Sequence, residues 1–170
     1  LYFQDLLKHV NVRDYGALGD DTTDDRSAFV AADKAAAGSE ILVPSGSYFI
    51  GSSLTLHAPV SFEGTLSMAE KSVLSLTKQF DLPTYIRAFG EEELGFVKAF
   101  QSLLSDSDHE SLDMAGRKVT INGPLDMARL SGRTRFAQRR VVRNGQLNAA
   151  GDSVWNSVKV TSQGSYSAYY

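Results

Sequence analysis

Asn11-Val12-Arg13-Asp14-Tyr15-Gly16-Ala17-Leu18-Gly19-Asp20-Asp21-Thr22-Thr23-Asp24-Asp25 leads into an alanine-rich segment closed by Gly38, and Leu42-Val43-Pro44-Ser45-Gly46-Ser47-Tyr48-Phe49-Ile50 follows. Gly16 and Gly19 suit tight turns, because glycine enters the left-handed region without steric cost. Thr22 and Asp25 stand three apart, as in a capping box, and acids favour the positive end of a helix. A helix is therefore expected to begin near Asp24 or Asp25, with Phe29, Ala32 and Ala36 as its apolar stripe and Gly38 as its stop.

Beyond that helix the pattern changes to short apolar runs broken by Pro44, Gly46, Gly51, Pro59 and Gly64. Strands are expected at Ile41 to Val43, Tyr48 to Ile50, Leu54 to Leu56, Val60 to Phe62, Thr65 to Met68 and Val73 to Leu76. No Asn-Gly or Asp-Gly pair sits among them, so a parallel solenoid answers better than a sandwich of hairpins. Asn122-Gly123 and Asn144-Gly145 come later and read equally as solenoid corners or hairpins.

The same grammar recurs. Ala28-Phe29, Gly46, Ile50 and Leu54 find counterparts in Ala99-Phe100, Gly116, Ile121 and Leu125 at offsets of 70 or 71, whereas Gly64 to Gly145 is 81. Structural repetition is expected, with about ten residues inserted before Gly145. A second helix, from about Glu91 to Leu104, would carry Phe96, Phe100, Leu103 and Leu104 on one face and three acids at its start.

Composition excludes several function classes. With 170 residues, 42% hydrophobic and 22% charged, the chain fits one soluble globular domain. It has no cysteine, which removes disulfides, thiolate metal sites and cysteine nucleophiles. Seventeen basic against twenty acidic residues give a net charge of -3, so nucleic acid is not an expected partner. No apolar run approaches the roughly 18 residues of a membrane span, and no membrane partner is expected. Neither Gly-x-Gly-x-x-Gly nor a phosphate loop is present, and no cofactor or metal is expected.

The opening motif resembles the N-terminal signature of the pectate-lyase-like superfamily, related to glycoside hydrolase family 28 and found in bacteriophage tailspikes. The resemblance implies a mainly β fold, a right-handed parallel β-helix whose first coil is sealed by capping α-helices. A solenoid end needs such a lid, with a polar outer face, to remain soluble. Gly16, Gly19, Thr23, Asp24, Asp25, Phe29, Pro44, Gly46 and Tyr48 are the residues expected to build it, with Asp24 and Asp25 holding amides at the helix start.

The stretches Phe80-Asp81-Leu82-Pro83-Thr84-Tyr85, Asp108-His109-Glu110-Ser111-Leu112 and Arg139-Arg140-Val141-Val142-Arg143-Asn144-Gly145 look similar to spike proteins of alphaproteobacterial phages and gene transfer agents. That similarity implies a homotrimer on a virion or phage-like particle surface. It would act outside the host cell, with capsular polysaccharide and other particle proteins as partners. By organisation, residues 1-4 read as a tag remnant, 5-79 as the cap and first coils, and 80-170 as a helix-bearing insertion with further coils of the same domain. The aromatic ending at Tyr170 leads to the expectation of a longer chain.

Candidate functional residues each admit a second reading. Asp20, Asp21, Asp24 and Asp25 have the chemistry of a calcium loop but not its spacing, which leaves helix capping. Asp106, Asp108, His109, Glu110 and Asp113 form a polar knot, read as an acid–base site or as a solvated loop. His9 and His57 show no convincing partner. Arg129, Arg133, Arg135, Arg139, Arg140 and Arg143 suit an anionic polysaccharide, or else pairing with the seven acids of residues 91 to 113. Trp155, Tyr166, Tyr169 and Tyr170 suit sugar stacking or core and subunit contact. Arg133, Arg135, Arg139, Arg140 and Trp155 are the expected ligand or subunit contacts, and no catalytic residue is assigned. The functional expectation is a structural, receptor-binding piece of a spike that recognises surface polysaccharide. The alternative is the N-terminal part of a polysaccharide lyase or hydrolase.

Overall fold

The computed structural model describes residues 9–105, 109–122, 130–132 and 140–149. The chain divides into two compact units. The first comprises residues up to 79 together with 87–89, and the second 80–86 together with residues from 90 onward.

In the first unit, β1 (His9–Asn11), a 3-10 turn (Val12–Tyr15), β2 (Asp20–Asp24) and α1 (Arg26–Ala36) precede six short strands. These are β3 (Glu40–Val43), β4 (Ser47–Ile50), β5 (Leu54–Leu56), β6 (Val60–Phe62), β7 (Thr65–Met68) and β8 (Leu74–Leu76). They lie within one residue of the expected positions. Every pairing is parallel, in three small sheets ordered β1-β3-β6, β2-β4-β7 and β5-β8. The chain visits those sheets in the same order twice, with Ile41 beside Val60, Tyr48 beside Leu66 and Leu54 beside Leu74. Parallel neighbours need a crossover between them, which is why no hairpin turn was visible among these strands.

Alternation sets the core. Ile41, Val43, Tyr48, Ile50, Leu54, Leu56, Leu66, Leu74 and Leu76 are buried, and the residues between them are more exposed. Phe29, Ala32 and Ala36 of α1 are buried with them. Each fully buried large apolar side chain contributes about 2 kcal/mol relative to exposure. Strands of three or four residues hold their positions through that shared interior, since alone they would not be stable.

The second unit holds most of α2 (Leu82–Phe89), then α3 (Glu92–Ser105), β9 (Ser111–Asp113), β10 (Lys118–Ile121), β11 (Val141–Arg143) and β12 (Gln146–Ala149). β9 pairs with β11 and β10 with β12, again in parallel. Asn144, in the left-handed region at φ 59°, therefore turns a corner between two ladders rather than closing a hairpin. Glu40 to Ser111 and Ser47 to Lys118 are 71 positions apart, and Val60 to Val141 and Thr65 to Gln146 are 81 apart. The extra ten residues fall between β10 and β11.

Three expectations need correction. The chain is mixed α/β with small parallel sheets rather than mainly β. Helix α2 was not foreseen, although Asp81 caps it by accepting the Thr84 amide at 2.9 Å, Pro83 stands in its first turn and Gly90 ends it in the left-handed region. Helix α3 is buried well beyond one stripe: Lys98, Gln101 and Ser102 are inside along with Phe96, Phe100, Leu103 and Leu104. Gln101 donates to the Leu130 carbonyl at 3.0 Å, so a buried amide is bonded where the sequence pattern suggested a solvent face.

Candidate functional site

The turns at the start of the first unit are organised around Tyr48 and Asp25. Tyr48 is buried, packs edge-on against Phe29 at 5.6 Å between ring centroids, and donates its hydroxyl to the Pro44 carbonyl at 2.9 Å. Burial raises the Tyr48 pKa, which keeps the phenol a donor. The Arg13 guanidinium lies over this ring, 5.5 Å from its centroid, and donates to the Leu18 and Ser45 carbonyls at 3.1 and 2.9 Å. One guanidinium thus ties two turns to one aromatic ring. Gly19 is required there twice over: its φ is 66°, and a Cβ would stand 3.0 Å from the Arg13 guanidinium and 3.1 Å from the Tyr48 ring. Gly16 closes the 3-10 turn by donating to the Arg13 carbonyl, and the Gly46 carbonyl accepts the Thr65 amide at 2.9 Å.

Asp25 does not cap the helix through its side chain. Its carboxylate instead accepts the Leu18 and Gly19 amides at 3.0 Å each, while its own amide donates to the Phe49 carbonyl. The expected Thr22–Asp25 capping box is absent because residues 20–24 form strand β2, which carries Thr22 away from the helix start. Asp24 takes over, accepting the Arg26 amide at 3.0 Å and the Gly51 amide at 2.9 Å. The Gly51 bond, then the Arg26 bond, hold its carboxyl below the usual range. Asp20 accepts the Thr23 and Thr22 amides and the Thr23 hydroxyl, which lower its pKa to about 2. Thr23 is thus a donor to Asp20.

A family model described as rhamnogalacturonase A/epimerase, pectate lyase-like, matches residues 9–99, more than half of the chain. The chain belongs to the pectate-lyase-like family. Comparison with curated proteins and with solved structures gave no match.

Both histidines of the first unit of this pectate-lyase-like chain have partners that sequence spacing did not reveal. His57 Nδ1 lies 2.9 Å from the Asp33 carboxylate, which also accepts the His57 and Ala58 amides at 2.9 Å each. Asp33 fastens the middle of α1 to the β5–β6 corner. His9 Nδ1 lies 3.4 Å from Glu40, its neighbour in the β1–β3 register. Those contacts span 24 and 31 positions, beyond any local motif.

In the second unit the structure brings part of the polar knot to part of the basic stretch. Arg140 donates to the His109 carbonyl at 2.9 Å, and the His109 ring stacks on Phe80 with 4.5 Å between centroids. Arg143 lies 3.8 Å from Asp113, which it faces across the β9–β11 ladder. The Ala115 amide and then the Asn144 side chain hold the Asp113 carboxyl below its ordinary range. Further along, Glu92 faces Arg117 at 3.5 Å and Glu93 accepts from the Asn122 amide and side chain. Arg133, Arg135, Arg139 and Trp155 lie outside the described residues, as do Asp106, Asp108, Arg129, Tyr166, Tyr169 and Tyr170.

Sequence reading singled out Pro44, Gly46 and Tyr48 but gave Arg13 and Gly64 no part in these turns. A Cβ on Gly64 would meet the Pro44 and Gly46 carbonyl oxygens, so β7 can enter its sheet only with glycine before it. Arg13 left no signal, because one of its partners, the Ser45 carbonyl, lies 32 positions away. Chemically, these residues fix backbone. Its carboxylates accept amides, and its arginine donates to carbonyls.

Proposed function

We propose that this chain forms the N-terminal end of a right-handed parallel β-helix in a spike-type protein that recognises acidic surface polysaccharide. The reading takes the protein to be a homotrimer on a virion or phage-like particle, acting outside the host cell. The two-fold repetition of sheet order in the first unit supports the winding, because strands that return to the same sheet in parallel require successive coils of one hand. The observation that supports a structural role for this end of the chain is the engagement of Asp20, Asp24, Asp25 and Asp33 with backbone amides. A glycosidase needs two carboxyl groups flanking a sugar about 5 to 9.5 Å apart, one of them able to give up a proton. Carboxylates drawn into amide bonds serve the fold instead.

The family description favours a second reading, the leading part of an enzyme acting on polysaccharide. Incubating the purified chain with capsular polysaccharide separates the two. Co-sedimentation with the polymer and no new reducing ends or unsaturated product is the expected result. Turnover by the chain would overturn the binding reading in favour of the enzyme. Sedimentation equilibrium of the full-length protein is expected to give three times the chain mass, and a monomer would overturn the spike assignment.

A further inference from the structure

Asn144 and Gly145 turn the corner between β11 and β12, and the fold dictates both residues. Asn144 sits in the left-handed region at φ 59°, which asparagine and aspartate enter more readily than other residues with a side chain. A Cβ at position 145 would meet the Cβ and Sδ of buried Met114 and the Arg117 carbonyl, so glycine is required there. The corner therefore calls for Asn-Gly, Asp-Gly or Gly-Gly, and the chain carries the first of these. Of the three, only Asn-Gly can lose ammonia, and asparagine is among the thermally labile residues.

Two observations make that lability specific to this corner. Asn144 and Gly145 are both exposed, and among the described residues the Gly145 amide has no hydrogen-bond acceptor. At the matching corner of the first unit, Glu63-Gly64, the Gly64 amide donates to the Val43 carbonyl at 3.0 Å and the preceding side chain is already a carboxylate. The Asn144 side chain is held at its outer end, where Nδ2 donates to Asp113 Oδ1 at 3.1 Å.

We infer that Asn144 is a site of spontaneous deamidation, held back by its bond to Asp113. The Gly145 nitrogen gives its proton to solvent base and bonds to Asn144 Cγ. The Cγ–Nδ2 bond then breaks, and ammonia leaves with a proton taken from water. A five-membered succinimide results. Water opens that ring at either carbonyl, giving aspartate or, where the main chain now runs through Cβ, isoaspartate. Ammonia is exchanged for water, and the chain gains one negative charge. While Asp113 holds Nδ2 the side chain is pinned to the β9–β11 ladder, and attack waits on release of that bond.

The products do not fit the corner as asparagine does. Aspartate sets a second carboxylate against Asp113, where like charges repel and the amide donor is gone. Isoaspartate lengthens the main chain among three bonds that close the corner. The Met114 amide donates to the Arg143 carbonyl at 3.0 Å, the Gly116 amide to the Asn144 carbonyl at 2.7 Å, and the Gln146 amide to the Arg117 carbonyl at 3.0 Å. Deamidation at this position loosens β11 and β12 as the protein ages.

The test is to age the folded chain in mildly alkaline buffer and map its peptides by mass spectrometry, with isoaspartate counted by enzymatic methylation. Conversion at Asn144 ahead of Asn11 and Asn148, which are followed by Val12 and Ala149, is the expected result. A synthetic peptide of residues 141–148 aged alongside reports that the conditions support the reaction, so an intact Asn144 in the folded chain would overturn the site. Asp113→Ala is expected to speed conversion about fivefold, the worth of one net hydrogen bond, while Asp113→Asn keeps an acceptor oxygen and the original rate. Should Asp113→Ala prove unfolded by circular dichroism, Asp113→Ser replaces it, because serine keeps an acceptor for the Ala115 amide on a shorter side chain. Equal rates in all variants would overturn the part given to Asp113. Aged protein is expected to unfold at lower denaturant than fresh protein, and aged Asn144→Gly, which keeps the turn without the amide, is not. An equal loss in both would overturn the claim that deamidation loosens the corner.

Discussion

The two units use one grammar of helix and parallel ladders and both fasten carboxylates to backbone amides, as Asp25 and Asp113 do, yet their matching ladders carry different side chains on the outer face. In the first, Arg13, Asp20, Asp24, Asp25 and Asp33 are bonded to backbone groups of turns and helix ends. In the second, the outer face of β10 and β12 presents Lys118, Thr120, Gln146 and Asn148 with a single hydrogen bond among them. Polar groups that close a fold are ones whose removal unfolds it. Those left exposed on a ladder face are expected to be dispensable to the fold.

The largest expected effect is at Asp25, which is 2% exposed. Asp25→Ala would leave the Leu18 and Gly19 amides without their acceptor and is expected to cost about 3 kcal/mol. Thermal unfolding should show a midpoint lower by about 10 °C for a chain of this size. A loss below about 1 kcal/mol would break the claim that the first unit is closed by this carboxylate.

Next come two glycines at matching positions, 81 residues apart. A Cβ on Gly64 meets backbone carbonyls of Pro44 and Gly46, and on Gly145 it meets the Cβ and Sδ of buried Met114 and the Arg117 carbonyl. The Met114 Cβ moves only with its backbone, so neither site can relax cheaply. Gly64→Ala and Gly145→Ala are each expected to cost about 3 kcal/mol, read as denaturant midpoints. A loss at Gly145 less than half that at Gly64 would show that the second unit closes less rigidly.

Much of the fold was legible. The spacing of Pro44, Gly46, Gly51, Pro59 and Gly64 placed six strands, and the 71-residue offset located the second unit. Both signals are local or periodic, and periodic patterns survive in sequence because the core needs them at every turn. What was hidden depends on contacts between distant residues. Asp25 looked like a helix cap since acids and threonines surround it, but β2 pairs with β4 and draws Thr22 into a strand, leaving Asp25 aimed at the preceding turn. Helix α2 carried a cap, a proline and a stop, but its eight residues are too few for periodicity to declare it. For the site, Gly19, Gly46 and Tyr48 were readable as turn and motif residues. Arg13 and the Asp33–His57 contact were not, because side-chain pairing across 24 to 32 positions leaves no pattern in one sequence.

A smaller effect sharpens the same contrast through pH. Asp20 has a folded pKa of about 2, below the ordinary 3.8 of an aspartate, and Asp24 is shifted the same way. Carboxyls depressed by folding add stability that is present above the unfolded pKa and is lost as pH falls through the folded one. Stability of the first unit is therefore expected to decline between about pH 4 and pH 2. In Asp20→Asn that decline should be shallower, as followed by circular dichroism across the acid range. An unchanged slope would remove Asp20 from the groups that stabilise these turns.

The smallest expected effect is on the other side of the comparison. Lys118→Gln, or Gln146→Leu with Asn148→Leu, should change stability by no more than about 0.5 kcal/mol, as befits exposed side chains with few contacts. A larger loss in chemical denaturation would mean that this face supports the fold after all.

The most direct test of the account is to mix the purified chain with host capsular polysaccharide and follow binding and product release in the same sample. The account predicts association with the polymer, left intact by Asp20→Asn, with no new reducing ends or unsaturated sugars. Cleavage of the polymer by the chain, or no association at all, would contradict it.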